Sequence, residues 1–322
     1  MSKEKFSLQK ITNIKDWDEL LKSSCDKSIF NSYDYLKLIG SKYHLWLIKQ
    51  GNEKKAGFYC AVSNDEKNII HNDYLIYSGL IFNDINNTKI AKKNHQKFQI
   101  TDFIANQLPV YYDNINFSLS PEIIDIRPFQ WFNYNSNKKK YAIDVRFTSY
   151  LNLINFNPKE EFNNLLFNNM DSVRRYSIRD AIKTGYKFEK SNNVNQLINF
   201  YKFNMKNQGI IVKDDKIENM QKIMNFFIVL NKGSLFNVKN SDGEVLYSIF
   251  YIWDDTKAYY LFGSGGEKSM SWQASIATWE VIKYLYSKNI TLVDLEGVNS
   301  PKRGWFKQSF GGTLKSYFNI SI

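Results

Sequence analysis

Ala258-Tyr-Tyr-Leu-Phe-Gly-Ser-Gly-Gly266 and Thr291-Leu-Val-Asp-Leu-Glu-Gly297 are the two runs whose reading decides the fold. The first reads as a short apolar strand ending in a glycine turn, the second as a strand ending in carboxylates. Between them Ala274, Ala277, Val281, Ile282 and Leu285 recur at helical spacing and give the linking helix an apolar face. Strand, helix, strand is a βαβ unit, so the two strands are expected to run parallel. Gly263, Gly265 and Gly266 let main-chain N–H groups crowd a ligand. The helix is expected to begin near Ser269 or Ser271, both good N-caps, with its positive end toward that ligand. Leu261 to Gly266 with Ser269 and Ser271 therefore read as an anion-binding corner. Alternation along the second strand predicts that Asp294 and Glu296 share one face at its carboxyl end, where ligands bind in open α/β sheets. Either can act as a general base toward an amine, or can simply cap the loop and helix that follow.

Upstream, the sequence continues the same mixture of helices and strands. Pro158, a favoured first-turn residue, opens a helix expected to run to Thr184, with Gly185 as its C-cap. Arg175 and Arg179 stand four apart on one face of it, with Arg174 beside Arg175 around the turn. One of these arginines is a candidate for an anionic ligand. Helices follow over 194–207 and 215–231, then a hairpin of 234–239 and 244–253 turning at Ser241-Asp242-Gly243. In the first half, helices are expected over 14–24, 31–40 and 88–107, and strands over 43–49, 56–62, 75–82, 115–119 and 141–153. Pro128 excludes Asp125–Trp131 from a central strand and makes it a strand end or loop. No linker-like stretch separates the halves. They are expected to divide into 1–154 and 155–322, in an α/β chain of mixed sheets.

Composition bounds the chemistry. The chain has 322 residues, 43% of them hydrophobic, and only five prolines, enough for a folded core and unlike a disordered chain. Its formal net charge of +11 favours anionic partners, among them a nucleotide, a tRNA or a membrane surface. Two cysteines, Cys25 and Cys60, leave no disulfide framework and fit a reducing, cytoplasmic compartment. His44, His71 and His95 show no metal-ligand spacing, so no metal site is expected. Neither a secretory segment nor an apolar run of membrane-spanning length is visible, so the sequon Asn86-Asn87-Thr88 carries no weight. Lys302, Arg303, Lys307 and Lys315 form a basic set directly after the carboxylates.

These motifs resemble something specific. Tyr260-Leu-Phe-Gly-Ser-Gly265 and Asp294-Leu-Glu-Gly-Val-Asn-Ser-Pro-Lys-Arg-Gly-Trp-Phe-Lys-Gln-Ser-Phe-Gly-Gly312 look like the FemAB-like branch of the GNAT acyltransferase superfamily. So do Arg174-Arg-Tyr-Ser-Ile-Arg-Asp-Ala181 with Gly185, and Asp125 to Trp131 with Thr148 and Leu151. The resemblance covers most of 120–322. It implies two GNAT-like halves, the first degenerate and the second carrying the phosphate turn. It also implies transfer of an acyl or aminoacyl group to an amine without a covalent enzyme intermediate. Leu261 to Gly263 would then polarise the donor carbonyl through main-chain N–H groups. Asp125, Arg127, Trp131, Arg175, Arg179, Asn299, Arg303 and Lys307 are the matched positions expected to hold the acceptor. The donor is expected to be acyl-CoA and the acceptor the amine of an amino sugar, free or nucleotide- or lipid-linked, in surface polysaccharide or glycan synthesis. The alternatives are an aminoacyl-tRNA-dependent ligase acting on a cell-wall peptide, and a ligand-binding module that keeps the fold without the chemistry.

Overall fold

The computed structural model describes residues 6–84 and 89–322, so Asn86-Asn87-Thr88 lies outside the described residues. The chain forms two compact units, Met1–Arg146 with Ser316–Ile322, and Phe147–Lys315.

The first unit opens with β1 (Phe6–Lys10), α1 (Ile14–Lys22) and α2 (Tyr33–Leu36), then β2 (Lys42–Gln50), β3 (Glu53–Val62) and β4 (Gly79–Phe82). The four strands lie in the order β1-β2-β3-β4, each antiparallel to its neighbour. α1 seats Trp17 and Leu20 over Gly57 of β3, where any Cβ would stand 2.5 Å from both side chains. α3 (Ile90–Tyr111), β5 (Asn116–Ser118), α4 (Arg127–Trp131) and the start of β6 (Ala142–Asn152) follow. Ile100, Ile104 and Leu108 of α3 pack with Trp46, Phe58, Phe117 and Phe129 in one core.

The second unit continues with α5 (Leu165–Asn168), α6 (Ser172–Lys183), β7 (Lys187–Ser191), α7 (Val194–Asn207), α8 (Asp214–Val229), β8 (Gly233–Lys239) and β9 (Val245–Trp253). β10 (Lys257–Gly265), α9 (Ser271–Ser287), β11 (Leu292–Asp294), α10 (Pro301–Gln308) and β12 (Thr313–Ser321) complete it, the last residues of β12 returning to the first unit. β7, β8, β9 and β10 are successively antiparallel, β10 and β11 are parallel, and β11 is antiparallel to β6. The predicted βαβ crossover is present, and α9 buries Ile276, Ala277, Val281, Ile282 and Leu285 against the sheet.

Local chemistry redraws several expected boundaries. The long helix expected from Pro158 to Thr184 breaks into a 3₁₀ turn at Pro158–Glu160, α5 and α6. Asn164 and Asp171 divide it, because their side chains accept from Phe167 N and Val173 N and start new helices. Asp125–Trp131 is neither strand nor loop throughout: Pro128 occupies the first turn of the short helix α4. The strand expected over 75–82 narrows to Gly79–Phe82, and β1 had no signal strong enough to be read.

Candidate functional site

β10 is longer than its sequence suggests. Gly263 and Gly265 do not form a turn but extend the strand, opposite Ile249 and Tyr247 of β9. The pairing slips between Tyr260 and Phe262, which leaves Leu261 on a bulge. On its other side β10 pairs with β11 only as far as Tyr259, opposite Asp294. Six further residues of β10 therefore run on beside a strand that has already ended.

β11 ends because the chain turns sharply. Glu296 has φ of 58°, a left-handed conformation that costs a side-chain-bearing residue roughly 1–2 kcal/mol. Asp294, fully buried, offsets that cost: its Oδ1 accepts from the Glu296 N–H at 2.8 Å and from Thr148 Oγ1. The turn also breaks the alternation that placed both carboxylates on one face. Asp294 shapes the turn, and Glu296 is delivered by it. Asn299 closes the loop, exchanging hydrogen bonds of 2.7 and 3.0 Å with the main chain of Phe147. Gly304 then lets α10 press against the loop, since a Cβ there would meet Val298 O at 2.3 Å.

Glu296 is half-buried as a residue, yet its Oε1 is shut off from solvent and has no hydrogen-bond partner. Burial pushes its carboxyl well above the ordinary carboxylate range, Lys307 draws it back, and Asp294 raises it further. For Lys307 burial lowers the ammonium, Glu296 and Asp294 raise it, and Arg303 lowers it again. Burial thus drives both partners toward their neutral forms, and their attraction opposes that drive. The Lys307 ammonium lies 4.8 Å from the centre of the Tyr260 ring. Tyr260 in turn reaches the Tyr247 hydroxyl at 3.3 Å, and Gly263 makes room for it, because a Cβ there would stand 2.0 Å from the Tyr260 hydroxyl. An enclosed carboxyl oxygen, a half-buried amine and a bulged strand therefore meet where β10 and β11 part. Such a set can accept a proton from a nucleophile and steady a developing negative charge.

The expected phosphate corner fits a ligand only at one end. Gly265 faces Ser269 and Gly266 faces Phe200, with Cβ positions 2.1 and 2.8 Å from those side chains. Gly266 N donates to Leu246 O, Ser269 N to Gly266 O, and Met270 N to Gln273 Oε1. Ser264 accepts from Asn204 Nδ2 at 2.8 Å, and Phe262 stacks on Phe250. A pyrophosphate laid along the glycines would find these donors engaged and Glu267 in the turn. Met270, not a serine, caps α9. Ser271 and Trp272, in its first turn, keep N–H groups that the helix itself cannot satisfy, which suits a single phosphate.

The remaining candidates separate. In the second unit, Arg174 is the buried arginine: Nε donates to Ser309 Oγ at 2.9 Å, another arm reaches Ser275 Oγ, and the guanidinium lies 4.4 Å from the Phe306 ring. Its spacing with Ile178 and Ala181, four and seven residues on, was the available signal that it faces inward. Arg175 carries a buried Nε without a partner, Arg179 is exposed and lies over Phe162 and Phe167, and Arg303 is exposed. In the first unit, Asp125 and Arg127 form a two-pronged ion pair of 2.8 and 2.7 Å, with Arg127 over the rings of Phe98 and Trp131. Arg127 holds the Asp125 carboxyl below its usual range. Asn204 and Tyr247 are participants that the sequence did not single out as site residues, and of the three candidate arginines Arg174 is the one turned inward.

No family model matches the sequence, and neither does any curated protein. The solved structures do match in fold. FemX superposes with a TM-score of 0.63 at 14% identity, over 97% of this chain and 96% of that one. L-PGS from Bacillus licheniformis gives 0.55 at 9% identity, over 96% and 91%. A tandem GNAT protein from the clavulanic acid biosynthesis pathway gives 0.54 at 7% identity, over 98% of each. The chain thus shares its fold with FemX and with a tandem GNAT protein.

Proposed function

We propose that the protein transfers an activated acyl group to an amine at the Glu296–Lys307 pair. The observation that carries this reading is the enclosed, unpartnered Glu296 Oε1 beside a half-buried lysine at the mouth of the parted strands. The amine nitrogen attacks the donor carbonyl and forms the new N–C bond. In the ionised pair, which the attraction between Glu296 and Lys307 favours, Glu296 takes the proton that the nitrogen loses, while the Lys307 ammonium faces the oxygen on which charge develops. The bond to the leaving thiolate or alkoxide breaks, and the proton passes on to that group. Asp294 acts through Glu296 by fixing its turn. In this reading 155–322 carries the chemistry and 1–154 is the half without a phosphate turn.

For the donor, acyl-CoA is the first reading, with its phosphates toward Ser271 and Trp272. A second reading, aminoacyl-tRNA, is favoured by the engaged amides of 266, 269 and 270, which suit one phosphate better than two. The acceptor we favour is an amino sugar bearing phosphate, which the unsatisfied Arg175 Nε and exposed Arg303 suit. Thermal unfolding with acetyl-CoA, longer acyl-CoAs, free CoA and bulk tRNA tests the donor. A true donor at about 100 times its Kd adds about 2.7 kcal/mol to the folded state. Stabilisation by CoA species alone supports the first reading and by tRNA alone the second. Silence from all of them counts against transfer and favours a ligand-binding module.

A further inference from the structure

α7 ends in a turn that presents apolar side chains to solvent. Gly209, with φ of 72°, follows the helix; Gly209 N donates to Lys206 O at 3.0 Å and Ile210 N to Met205 O at 2.9 Å. This doubly bonded C-terminal motif fixes the direction of the next residues. Ile210 is 49% exposed and Ile211 93%, with Val212 half-buried, before α8 begins at Asp214. Three consecutive branched apolar residues at a loop tip are costly in water unless something covers them. The turn is tied to the rest of its unit: Asn204, five residues before Gly209, bonds both Ser264 and Gly265 of β10.

We infer that Ile210, Ile211 and Val212 enter the interface of an anionic phospholipid bilayer. Lys202 and Lys206 lead into the turn and Lys213 leaves it, all exposed. Apolar tips flanked in sequence by exposed lysines are held by burial in the acyl boundary together with attraction to anionic headgroups. Asp214 and Asp215 follow, but they stand in the first turn of α8, where the helix dipole favours their charge, and Asp215 bonds the Lys216 N–H. The chain's net charge of +11 adds long-range attraction of the same sign. No helix among the described residues is long and apolar enough to cross a membrane, so the contact is peripheral. The inference does not rest on the acyl-transfer reading, though it would bring that site to lipid-linked amines.

The test is co-sedimentation of the full chain with vesicles of about one-third phosphatidylglycerol in phosphatidylcholine, and with phosphatidylcholine alone. Binding should be at least about tenfold stronger to the anionic vesicles and fall about tenfold in Ile211→Asp. Val229→Asp, an 82% exposed position at the other end of α8, should bind as the parent does. A second measurement does not depend on the folding of the charged variant. A polarity-sensitive dye on Ile211→Cys, in a Cys25→Ser background, should shift to the blue with anionic vesicles. Absence of sedimentation, equal loss in both aspartate variants or an unmoved dye would overturn the inference. So would a lipid-free dimer that Ile211→Asp abolishes, which would make the tip a contact between copies.

Discussion

Glu296 is held in a left-handed turn by one neighbour and kept from water by others. Glu296→Gln keeps its volume and turn but cannot accept the proton. We expect kcat/KM to fall by about 10²–10⁴ with the melting temperature unchanged, which steady-state rates and a thermal melt would check together. Asp294→Asn should act differently, weakening the turn and lowering both stability and rate. Gly304→Ala should destabilise by about 1–3 kcal/mol in a denaturant titration, because the new methyl meets the Val298 carbonyl. The position of Glu296 at the end of an apolar strand was legible in the sequence. Its backbone conformation was not, because glutamate has no preference for the left-handed region and only the Asp294 hydrogen bond makes it worthwhile. Arg174 was legible in its spacing, but an arginine on an inward face reads as an exception until its two serines and two phenylalanines are seen.

Among the elements, β2 carries a polar network, buried at His44 and Tyr112 and open at Glu66, that is independent of the proposed chemistry. His44 Nδ1 lies 2.7 Å from the Tyr112 hydroxyl, which also accepts from Trp46 Nε1, and its Nε2 lies 2.8 Å from Glu66. Burial is the main cause that lowers the His44 imidazolium, partly opposed by Glu66. Bonds from His44, Lys42 and Lys10 pull Glu66 down to about 2. Both folded-state values are depressed, so both groups contribute stability that is present above their unfolded values and lost as pH falls. Stability should therefore decline below about pH 6.5 through His44, and again from about pH 4.5 toward 2 through Glu66. Chemical denaturation across that range should show a flatter upper limb in His44→Gln; an unchanged limb would assign it elsewhere. The βαβ crossover and the hairpin of β8 and β9 were readable from period and turn residues. The glycine segment was misread as a turn because glycines in a strand signal close approach as well as reversal, and here they admit Tyr260, Ser269 and Phe200. The broken helix before Gly185 shows the reverse case, two local caps overriding an apolar period.

Across the whole molecule, the net charge of +11 separates the two donor readings. If aminoacyl-tRNA is used, its binding should weaken steeply with salt, by roughly 10³-fold or more between 50 and 200 mM for six phosphate contacts. If acyl-CoA is used, the salt dependence should be much shallower. Filter binding over a salt series measures this directly. The tandem fold was foreseeable from motifs in 120–322, and FemX and the tandem GNAT protein share it along nearly the full chain. The early residues offered only architecture, since their strands alternate weakly and their core is shared among distant segments. The measurement that bears most directly on the central claim is acyl transfer itself. Wild-type protein, Glu296→Gln and Lys307→Met would be assayed side by side with acyl-CoA and aminoacyl-tRNA donors against a panel of amines. We predict amide formation by the wild type from one donor class, and loss of at least about 10²-fold in both variants without loss of fold. No transfer from any donor, or variants that turn over like the wild type, would contradict the account.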